Sequence, residues 1–477
     1  MKYQAVIGLE VHAELSTNSK AFCGCTTAYG GKPNSHICPV CVGLPGALPR
    51  INKEVVNLAL KAGLALNCKI NTLNRFDRKN YFYPDAPKNY QITQNDFPIC
   101  YDGYVEIETA DGTVKRIGIE RIHMEEDAGK QIHSSKGSLV DFNRSGVPLI
   151  EIVTKPDLRS PEEATLYLTK LRSILFALGV SDVKMEEGSL RCDGNISIME
   201  EGAQVYGIKS EIKNMNSFKA LEKALNYEYG RQVKAVECNE RLFVETRRWD
   251  DAAGATVVMR SKEMANDYRY FPEGDLVTLD ISDEWIEEIR ATIPELPFEK
   301  AERFVREYGI PKYDAMVLTL TDEMANFFDE AAKANGDGKA VSNWIMGDLS
   351  RLMNGEGTWI PELKFTPQDL SDLVDLIKKG TISSAMGKKV LEFMFAEGKD
   401  PGTIVKEKNL VQVSDEGAIL AEVGKVLDAF PNVVEDYRNG KMKIMGFAVG
   451  QVMKATKGQA NPAVINKLVA EELERRK

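Results

Sequence analysis

The sequence predicts an α+β amino-terminal domain followed by two all-α parts, a helical domain and a small tail domain. Strand-like alternation of apolar and polar residues begins at Tyr3 and recurs as far as Trp249. Two helical patterns, over residues 52–65 and Pro161–Leu178, lie among these strands. After Ile281 the apolar residues follow helical spacing alone, so strands are expected only in the first part.

The change of pattern sets the predicted domain boundaries. The α+β domain is expected over residues 1–293, because Pro294 and Pro297 interrupt the helical pattern that follows it. The helical domain is expected over residues 294–405 and the tail domain over residues 406–477.

The composition is typical of a globular protein. The chain has 477 residues, of which 43% are hydrophobic and 28% charged, and its net charge is −10. No stretch approaches the roughly 20 apolar residues of a membrane helix, and the amino terminus lacks the apolar core of a signal peptide. We therefore expect a cytoplasmic protein without membrane contact. Its acidic charge argues against general nucleic-acid coating but leaves room for a local basic surface.

The first strand carries three polar side chains that alternation places on one face, namely Glu10, His12 and Glu14. Two acids around a histidine are suited to hold a cation. The same pattern is also typical of the polar outer face of an edge strand, and the segment alone leaves both interpretations open.

Four of the eight cysteines form two short-spaced pairs, Cys23/Cys25 and Cys38/Cys41, joined by a loop rich in Gly, Pro and Asn. Two such thiolate pairs predict a tetrahedral structural Zn²⁺ site that contributes to folding and not to catalysis. The alternatives are four reduced structural thiols, or His36 in place of one cysteine.

An aromatic-rich loop, FDRKNYFYPDAPKNYQITQ, spans Phe76–Gln94 and contains two prolines that forbid a regular helix. It carries two separated lysines, Lys79 and Lys88, and is suited to line a ligand path. An aromatic-anchored surface loop would have the same composition, so this alternative stays open.

The most unusual stretch is Arg121–Asp157. Three consecutive acids, Glu125, Glu126 and Asp127, end a short apolar alternation, and Glu151 stands inside the apolar run VPLIEIV. A carboxylate in such a run must be protonated, paired or metal-bound. Because hard cations such as Mg²⁺ take oxygen ligands, the stretch predicts a metal-centred phosphate site.

The helix that follows is expected to be scaffold, with one apolar stripe. Ser160 is the predicted N-cap, Pro161 occupies the first helical position and Glu163 is expected to complete a capping box. Gly179 is expected to end the helix.

Two later strand-like segments place polar residues on shared faces. Asp193 and Asn195 share a face of the first, and Lys209, Glu211 and Lys213 share a face of the second. A carboxylate between two lysines is typical of an ion-pair ladder, and it also suits a surface that faces phosphate.

The helical domain is expected to contain a series of amphipathic helices. The predicted segments are Phe298–Tyr308, Asp322–Asn335, Val341–Leu352, Pro367–Lys378 and Ser384–Glu397.

The tail is basic in an otherwise acidic chain. From Arg438 to the end there are nine Lys/Arg and three Asp/Glu, a balance of +6. Lys454 and Lys457 are therefore candidate contacts for an RNA backbone, with a solvated helical face as the alternative. The spacing of Gly446 and Gly450 permits close packing against another helix.

Common nucleotide and nucleophile motifs are missing. The sequence has no Gly-x-x-x-x-Gly-Lys-Ser/Thr phosphate loop, no Gly-x-Gly-x-x-Gly after a strand and no Gly-x-Ser-x-Gly elbow. If the protein uses ATP, metal-bound acids and basic side chains must bind it.

Nine segments, in order from one end of the chain to the other, resemble the B-subunit family of the aspartyl/glutamyl-tRNA(Asn/Gln) amidotransferases, the GatB/GatE family. They are IGLEVHAEL, CPVCVGLPGALP, FDRKNYFYPDAPKNYQITQ, RIHMEEDAGK, DFNRSGVPLIEIVTKPD, MEEGSLRCDGNISI, EIKNMNSF, DYRYFPE and VGQVMKATKGQANP. The resemblance implies an α+β "cradle" domain, then a helical domain and a small helical tail.

The resemblance also implies a reaction. ATP phosphorylates the side-chain carboxylate of tRNA mischarged with glutamate or aspartate, and ammonia displaces the phosphate to give Gln-tRNA or Asn-tRNA. The ammonia comes through a channel from a separate amidase protein of the same complex, and a third, small protein braces the pair.

Residue roles follow from the same match. The implied Mg²⁺ ligands are His12, Glu125 and Glu151. The implied ATP pocket contains Glu10, Asp193, Glu211 and Lys213. The implied catalytic groups at the channel mouth are Glu125, Lys79 and Lys88. The tail, with Lys454 and Lys457, is expected to contact the tRNA, whereas zinc at Cys23, Cys25, Cys38 and Cys41 rests on the spacing in this sequence.

Two other classes of function stay open at this stage. One is a non-catalytic RNA-binding protein of the same complex, in which the acids serve only structure. The other is a free-standing ATP-dependent carboxylate–amine ligase that needs neither tRNA nor a partner, although the chain lacks a Ser-Ser-Lys amidase signature for making ammonia.

Overall fold

The computed structural model describes residues 2–135, 137–261, 268–410, 416–456 and 460–476. It divides into two compact units, Met1–Leu296 and Pro297–Lys477. The first combines a sheet with helices and the second is helical, so the predicted fold class is confirmed. In the described part of the chain, no helix is both long enough and apolar enough to cross a membrane.

The strands of the first unit vary from long, regular strands to two-residue pairings. Along the described chain they are β1 (Tyr3–Glu14), β2 (Lys69–Ile70), β3 (Leu73–Asn74), β4 (Asp77–Asn80), β5 (Tyr90–Thr93), β6 (Cys100–Glu108), β7 (Val114–Glu126), β8 (Lys130–Ser134), β9 (Gly137–Asp141), β10 (Pro148–Thr154), β11 (Leu190–Glu200), β12 (Ser210–Met215), β13 (Glu245–Asp250), β14 (Ala255–Ser261), β15 (Phe271–Pro272) and β16 (Leu279–Asp280).

The helices of the first unit are α1 (Lys53–Ala65), α2 (Pro161–Ala177), α3 (Phe218–Glu237) and α4 (Asp283–Arg290). Those of the second unit are α5 (Pro297–Tyr308), α6 (Lys312–Leu318), α7 (Asp322–Asn335), α8 (Gly338–Trp344), α9 (Ser350–Glu356), α10 (Pro367–Lys378), α11 (Ser384–Glu397), α12 (Pro401–Glu407), α13 (Glu416–Ala429), α14 (Pro431–Arg438), α15 (Ile444–Ala455) and α16 (Pro462–Arg475).

The main sheet has the strand order β14-β13-β12-β11-β1-β10-β7-β6-β2. Neighbouring strands are antiparallel except β12 and β13, which are parallel. Strand β1 lies in the middle of this order, so the edge-strand interpretation of its polar residues is wrong. A central strand with a polar face must direct that face at other polar groups or at a ligand.

The two faces of β1 differ in the way that its alternation predicts. Its odd-numbered residues, such as Ile7, Leu9 and Val11, are fully buried in the core shared with α1, α2 and α3. The even-numbered residues from Gly8 to Glu14 are half-buried on the opposite face. The helices therefore cover one face of the sheet, and the polar residues occupy the other.

Helix α2 begins where the sequence predicts. Ser160 is extended and its hydroxyl accepts a hydrogen bond from the Glu163 amide, with Pro161 in the first position. The predicted capping box is wrong, because the Glu163 carboxylate accepts from the Arg159 amide at 2.7 Å and also pairs with Lys115. Gly179, just after the helix, has a φ of +65°, as an αL end requires.

The described residues of the helical unit form two separate apolar cores. One includes Phe304, Phe328 and Leu391, and the other includes Val423, Val452 and Leu473. The division of the chain into three domains at residues 293 and 405 stays a prediction.

The segment Val341–Leu352 is helical, as predicted, but it is not a regular α-helix, because residues Ile345–Leu349 form a π-helical turn between α8 and α9. The Ser350 hydroxyl, just after this turn, donates to the Ile345 carbonyl. Apart from the backbone of their own helix, no described atoms lie within 4 Å of a Cβ built on Gly446 or Gly450, so the described chain does not use the close packing that this spacing permits.

Candidate functional site

Three polar clusters lie on the open face of the main sheet, and each contains one residue of β1. Glu10, His12 and Glu14 do share one face, as predicted, but each of them faces different partners. Because alternate residues of a strand are about 7 Å apart, the three clusters are neighbours along β1.

The middle cluster is assembled by strand register. Glu151 on β10 lies directly opposite His12 on β1 and directly opposite His123 on β7. Glu125, two residues after His123 on β7, completes the group. We call it the acid–imidazole cluster (His12, His123, Glu125, Glu151). Ligand atoms of His12, Glu125 and Glu151 all lie within 4.8 Å of one another, so these three residues could hold one cation.

The distances in this cluster place both carboxylates between the two imidazoles. His12 Nε2 is 3.4 Å from Glu125 Oε1 and 3.7 Å from Glu151 Oε2. His123 Nε2 is 3.0 Å from Glu151 Oε2 and 3.7 Å from Glu125 Oε2. The Thr93 hydroxyl donates to Glu125 Oε2 at 3.4 Å.

The two carboxyl groups of the cluster are held in their charged form. Burial opposes this, but hydrogen bonds from His123 and the charge of His12 lower the pKa of both Glu125 and Glu151. Burial also opposes the charge of His123, yet its hydrogen bonds to Glu125 and Glu151 raise its pKa to about 9. Two charged carboxylates at a half-open site are suited to a hard divalent cation.

The two predicted catalytic lysines have different surroundings. Lys79 lies over the Tyr268 ring, and although burial opposes it, the charges of Glu125 and Glu151 raise its pKa. Lys88 Nζ pairs instead with Glu126 Oε1 at 2.6 Å. Lys79 therefore lies near the acid–imidazole cluster, whereas Lys88 is paired with an acid outside that cluster.

The second cluster, the acid–lysine cluster, contains the four residues expected in a nucleotide pocket: Glu10, Asp193, Glu211 and Lys213. Lys213 Nζ is 2.5 Å from Asp193 and 3.0 Å from Glu211. Against the effect of burial, these two acids raise the pKa of Lys213. Burial, followed by the charge of Glu151, raises the pKa of Glu10. The three carboxylates are also close enough together to hold a cation.

A cavity of about 390 Å³ opens beside the acid–lysine cluster. Its lining includes the predicted residues Glu10, Asn195 and Lys209, together with the aromatic ring of Tyr206 and the apolar side chain of Val153. A concave site with apolar walls and a few convergent polar groups is typical of a small-molecule pocket.

The third cluster, the acid–arginine cluster, contains Glu14, Asp127, Arg144 and Arg191. Arg191 and Arg144 both pair with Asp127, and their charges lower its pKa although burial opposes this. Burial and the neighbouring Asp127 raise the pKa of Glu14 to about 8. The Arg144 guanidinium also donates to the carbonyls of residues 128 and 129, so this cluster braces the end of β7.

The four cysteines converge as their spacing predicts. Their sulfur atoms lie within 4.8 Å of one another, and Cys38 and Cys41 are 3.9 Å apart. A hydrogen bond from Cys23 lowers the pKa of Cys41 to about 5. His36 is not part of this four-cysteine cluster, because the converging ligand set consists of the cysteines alone. The set is chemically suited to a closed tetrahedral metal site.

A second cavity, of about 270 Å³, lies between the four-cysteine cluster and the aromatic-rich loop. Cys23, Cys41, Lys88, Tyr90 and Glu126 are among its lining residues. The Lys88–Glu126 ion pair thus forms part of the wall of this cavity.

The tail residues can be placed only in part. Lys454 is exposed near the end of α15. Lys457 lies outside the described residues.

Sequence reasoning did not find several members of these clusters. His123 gave a weaker signal than the acids that follow it, although its place in the alternation of β7 puts it on the same face as Glu125. Arg144 and Arg191 gave no local signal, because their common partner Asp127 comes from a third segment.

Known proteins of one family match this chain along its whole length. The family profile described as "GatB/GatE catalytic domain" matches residues 5–287, and the one described as "GatB domain" matches residues 326–473. The chain is 70% identical over 476 residues to the B subunit of the aspartyl/glutamyl-tRNA(Asn/Gln) amidotransferase of Clostridium botulinum strain Alaska E43, covering 100% of both. Identity is also 70%, with the same coverage, to the protein of that name from strain Eklund 17B. It is 66% over 472 residues, 99% of both chains, to that from strain Loch Maree.

Proposed function

The chain belongs to the GatB/GatE family, and on this premise we propose that it is the B subunit of a tRNA-dependent amidotransferase. In this role it converts Glu-tRNA(Gln), Asp-tRNA(Asn) or both into the corresponding amide, using ATP and ammonia. The observation that carries the proposal is the convergence of His12, Glu125 and Glu151 on one point of the polar sheet face.

The reaction needs an activated carboxyl group. A free carboxylate is a poor acyl donor because its oxygen is a poor leaving group. Transfer of the terminal phosphoryl group of ATP to that oxygen forms a C–O–P bond and releases ADP. Attack of ammonia on the carbonyl carbon then forms the amide, and the former carboxylate oxygen leaves with the phosphate. Positioning and charge stabilisation do most of the catalysis of such a phosphoryl transfer.

His12, Glu125 and Glu151 are suited to hold Mg²⁺. The bound ion would neutralise charge on the phosphoryl group during transfer. The partly exposed His12 leaves the cluster open on one side, so phosphate oxygens can reach it, while the buried Glu125 fixes the inner side.

The acid–lysine cluster and its cavity are suited to the nucleotide. Lys213 supplies a compact positive charge for phosphate oxygens, and Asp193 and Glu211 hold that charge in place. Together with Glu10, these two acids could instead bind a further cation. The 390 Å³ cavity beside them has room for a nucleoside, with Tyr206 offering an aromatic face.

The two lysines of the aromatic-rich loop serve the amidation step. Lys79 holds positive charge beside Glu125 and Glu151, where negative charge develops on the acyl phosphate. Lys88, paired with Glu126 in the wall of the 270 Å³ cavity, is placed to line the ammonia route from the amidase partner.

The remaining features serve folding and assembly. The four-cysteine cluster holds a structural Zn²⁺, and Lys454 and Lys457 of the basic tail contact the tRNA backbone. The small third protein, which braces this chain and the amidase, completes a cytoplasmic heterotrimer.

The test is ATP hydrolysis by the complex of this chain with its amidase and small partners, measured with and without mischarged Glu-tRNA. We expect the tRNA to stimulate hydrolysis and Glu125→Gln to abolish the stimulation. Glu106→Gln is the matched control, since Glu106 is exposed on β6 and pairs only with Arg116 among the ion pairs of the described residues.

Two other outcomes would contradict the proposal. Absence of stimulation in the unmutated complex would favour a non-catalytic RNA-binding role. Hydrolysis stimulated equally by free glutamate would favour a free-standing ligase.

A further inference from the structure

His123 lies beneath the proposed cation site, on its closed side. Its side chain is only 6% exposed, compared with 22% for His12. Its Nε2 contacts the Oε2 atoms of Glu151 and Glu125. Its other ring nitrogen, Nδ1, is buried and has no hydrogen-bond partner among the described residues.

A buried imidazole with one unpartnered nitrogen is unfavourable as mere core packing, because an apolar side chain would fill the same volume without desolvating a polar group. The favourable contacts of this ring are those of Nε2 with the two carboxylates. Its position directly opposite Glu151 in the β7–β10 register makes the contact a fixed consequence of the strand pairing.

The two oxygens of Glu125 are divided between an inner and an outer side. Oε2 faces His123 and accepts from Thr93, and Oε1 faces His12 at 3.4 Å. Contacts to the inner oxygen restrain rotation of the carboxylate and leave the outer oxygen directed at the open side. Glu151 is restrained through a single oxygen, because its Oε2 lies 3.0 Å from His123 Nε2 and 3.7 Å from His12 Nε2.

We propose that His123 is a positioning residue for the cation site, whose Nε2–H donates to Glu151 and braces Glu125 so that both carboxylates are preorganised to bind the metal ion with His12. This inference rests on the proposed function of His12, Glu125 and Glu151 as metal ligands. Removing such an outer hydrogen bond in metalloproteins lowers metal affinity about 10- to 100-fold.

The experiment compares two amide variants that differ only in reach. His123→Gln places an N–H donor near the position of Nε2, whereas the shorter side chain of His123→Asn ends near Nδ1 and cannot reach Glu151. The probe is Mn²⁺, titrated into the complex of this chain with its amidase and small partners and followed by electron paramagnetic resonance. His133→Gln, on the exposed β8–β9 hairpin, is the control.

We expect His123→Asn to raise the Kd for Mn²⁺ about 10- to 100-fold and His123→Gln to stay within about threefold of the unmutated complex. The Mg²⁺ concentration for half-maximal ATP hydrolysis should rise in His123→Asn, with kcat recovered at saturating Mg²⁺. Circular dichroism checks that both variants are folded. If His123→Asn does not fold, the Mn²⁺ affinity of His123→Gln, compared with those of the unmutated complex and His12→Ala, still tests whether the ring acts as a hydrogen-bond donor or as a direct ligand.

The inference is overturned if His123→Asn binds Mn²⁺ as tightly as the unmutated complex. It is also overturned if His123→Gln loses as much affinity as His12→Ala, since the ring would then be a direct ligand. If His12→Ala itself binds Mn²⁺ normally, the proposed cation site fails, and the inference fails with it for a recognisably different reason.

Discussion

The four-cysteine cluster and the acid–imidazole cluster are both convergent ligand sets, yet they are built in opposite ways. The cysteines come from one loop segment between residues 23 and 41, and three of the four are half-buried. The acid–imidazole residues come from three strands that are far apart in the sequence and adjacent in the sheet.

This contrast shows what makes a site readable from sequence. A thiolate site with short spacing needs only a loop to close it, so its ligands are visible as a motif. A site on a sheet face needs the strand register, because a shift of one residue would turn Glu151 into the apolar core. The chemistry of the second site therefore depends on long-range pairing.

The largest effect is expected from breaking the register-built site alone. Glu151→Gln removes the carboxylate that lies between His12 and His123, so we expect amide formation on Glu-tRNA to fall at least about 100-fold. Zinc content should stay unchanged if the two clusters are independent. Amidation assays and metal analysis of the same preparation measure both, and an equal loss of zinc would show that the clusters are coupled through folding.

The complementary change breaks the loop-built site. Cys41→Ser removes the most buried of the four cysteines, so we expect loss of the bound Zn²⁺ and a lower thermal midpoint for the first unit. Mn²⁺ binding at the acid–imidazole cluster should persist at temperatures where the chain stays folded. Cys238→Ser, at an exposed cysteine, is the control, and normal zinc content in Cys41→Ser would contradict the proposed ligand set.

A smaller effect is expected from a change in the acid–lysine cluster, the neighbour of the acid–imidazole cluster on β1. Lys213→Met removes the charge between Asp193 and Glu211, so we expect the KM for ATP to rise about tenfold, which corresponds to about 1.4 kcal/mol. Lys69→Met, at a surface ion pair, should leave the KM unchanged. A normal KM in Lys213→Met would place the nucleotide elsewhere.

The smallest effect is expected in the tail, far from the chemistry along the chain. Lys454→Ala removes one exposed charge, so tRNA affinity should fall by a few-fold and the slope of log K against log salt should decrease by about one. Lys425→Ala, whose lysine pairs with Glu422, is the matched control. An unchanged salt dependence in Lys454→Ala would contradict a backbone contact.

Most of the fold could be predicted because it is encoded locally. The alternation of β1, the start of α2 at Ser160 and the helical repeat after Ile281 each need only neighbouring residues. The errors arose where partners come from elsewhere. The Glu163 side chain bonds Arg159 and Lys115 and not its own N-cap.

The candidate site shows the same limit. The identities of Glu125 and Glu151 could be predicted, since acids in apolar runs need a partner. The residue pattern alone could not show that Glu10, His12 and Glu14 enter three separate clusters, because only the sheet order brings β7, β10, β11 and β12 into place around β1. The family resemblance separated Glu10 from His12 but gave no role to Glu14.

The central claim is that this chain phosphorylates the side-chain carboxylate of the glutamate carried by the tRNA. The site of this step is the cluster that contains Glu125. The most direct test supplies the complex with ATP, ammonium and Glu-tRNA whose side-chain carboxylate carries ¹⁸O, and analyses the released phosphate by mass spectrometry. We predict one ¹⁸O atom per phosphate with the unmutated complex and with Glu106→Gln, and no labelled phosphate with Glu125→Gln. Labelled phosphate released by Glu125→Gln at the unmutated rate would contradict the account.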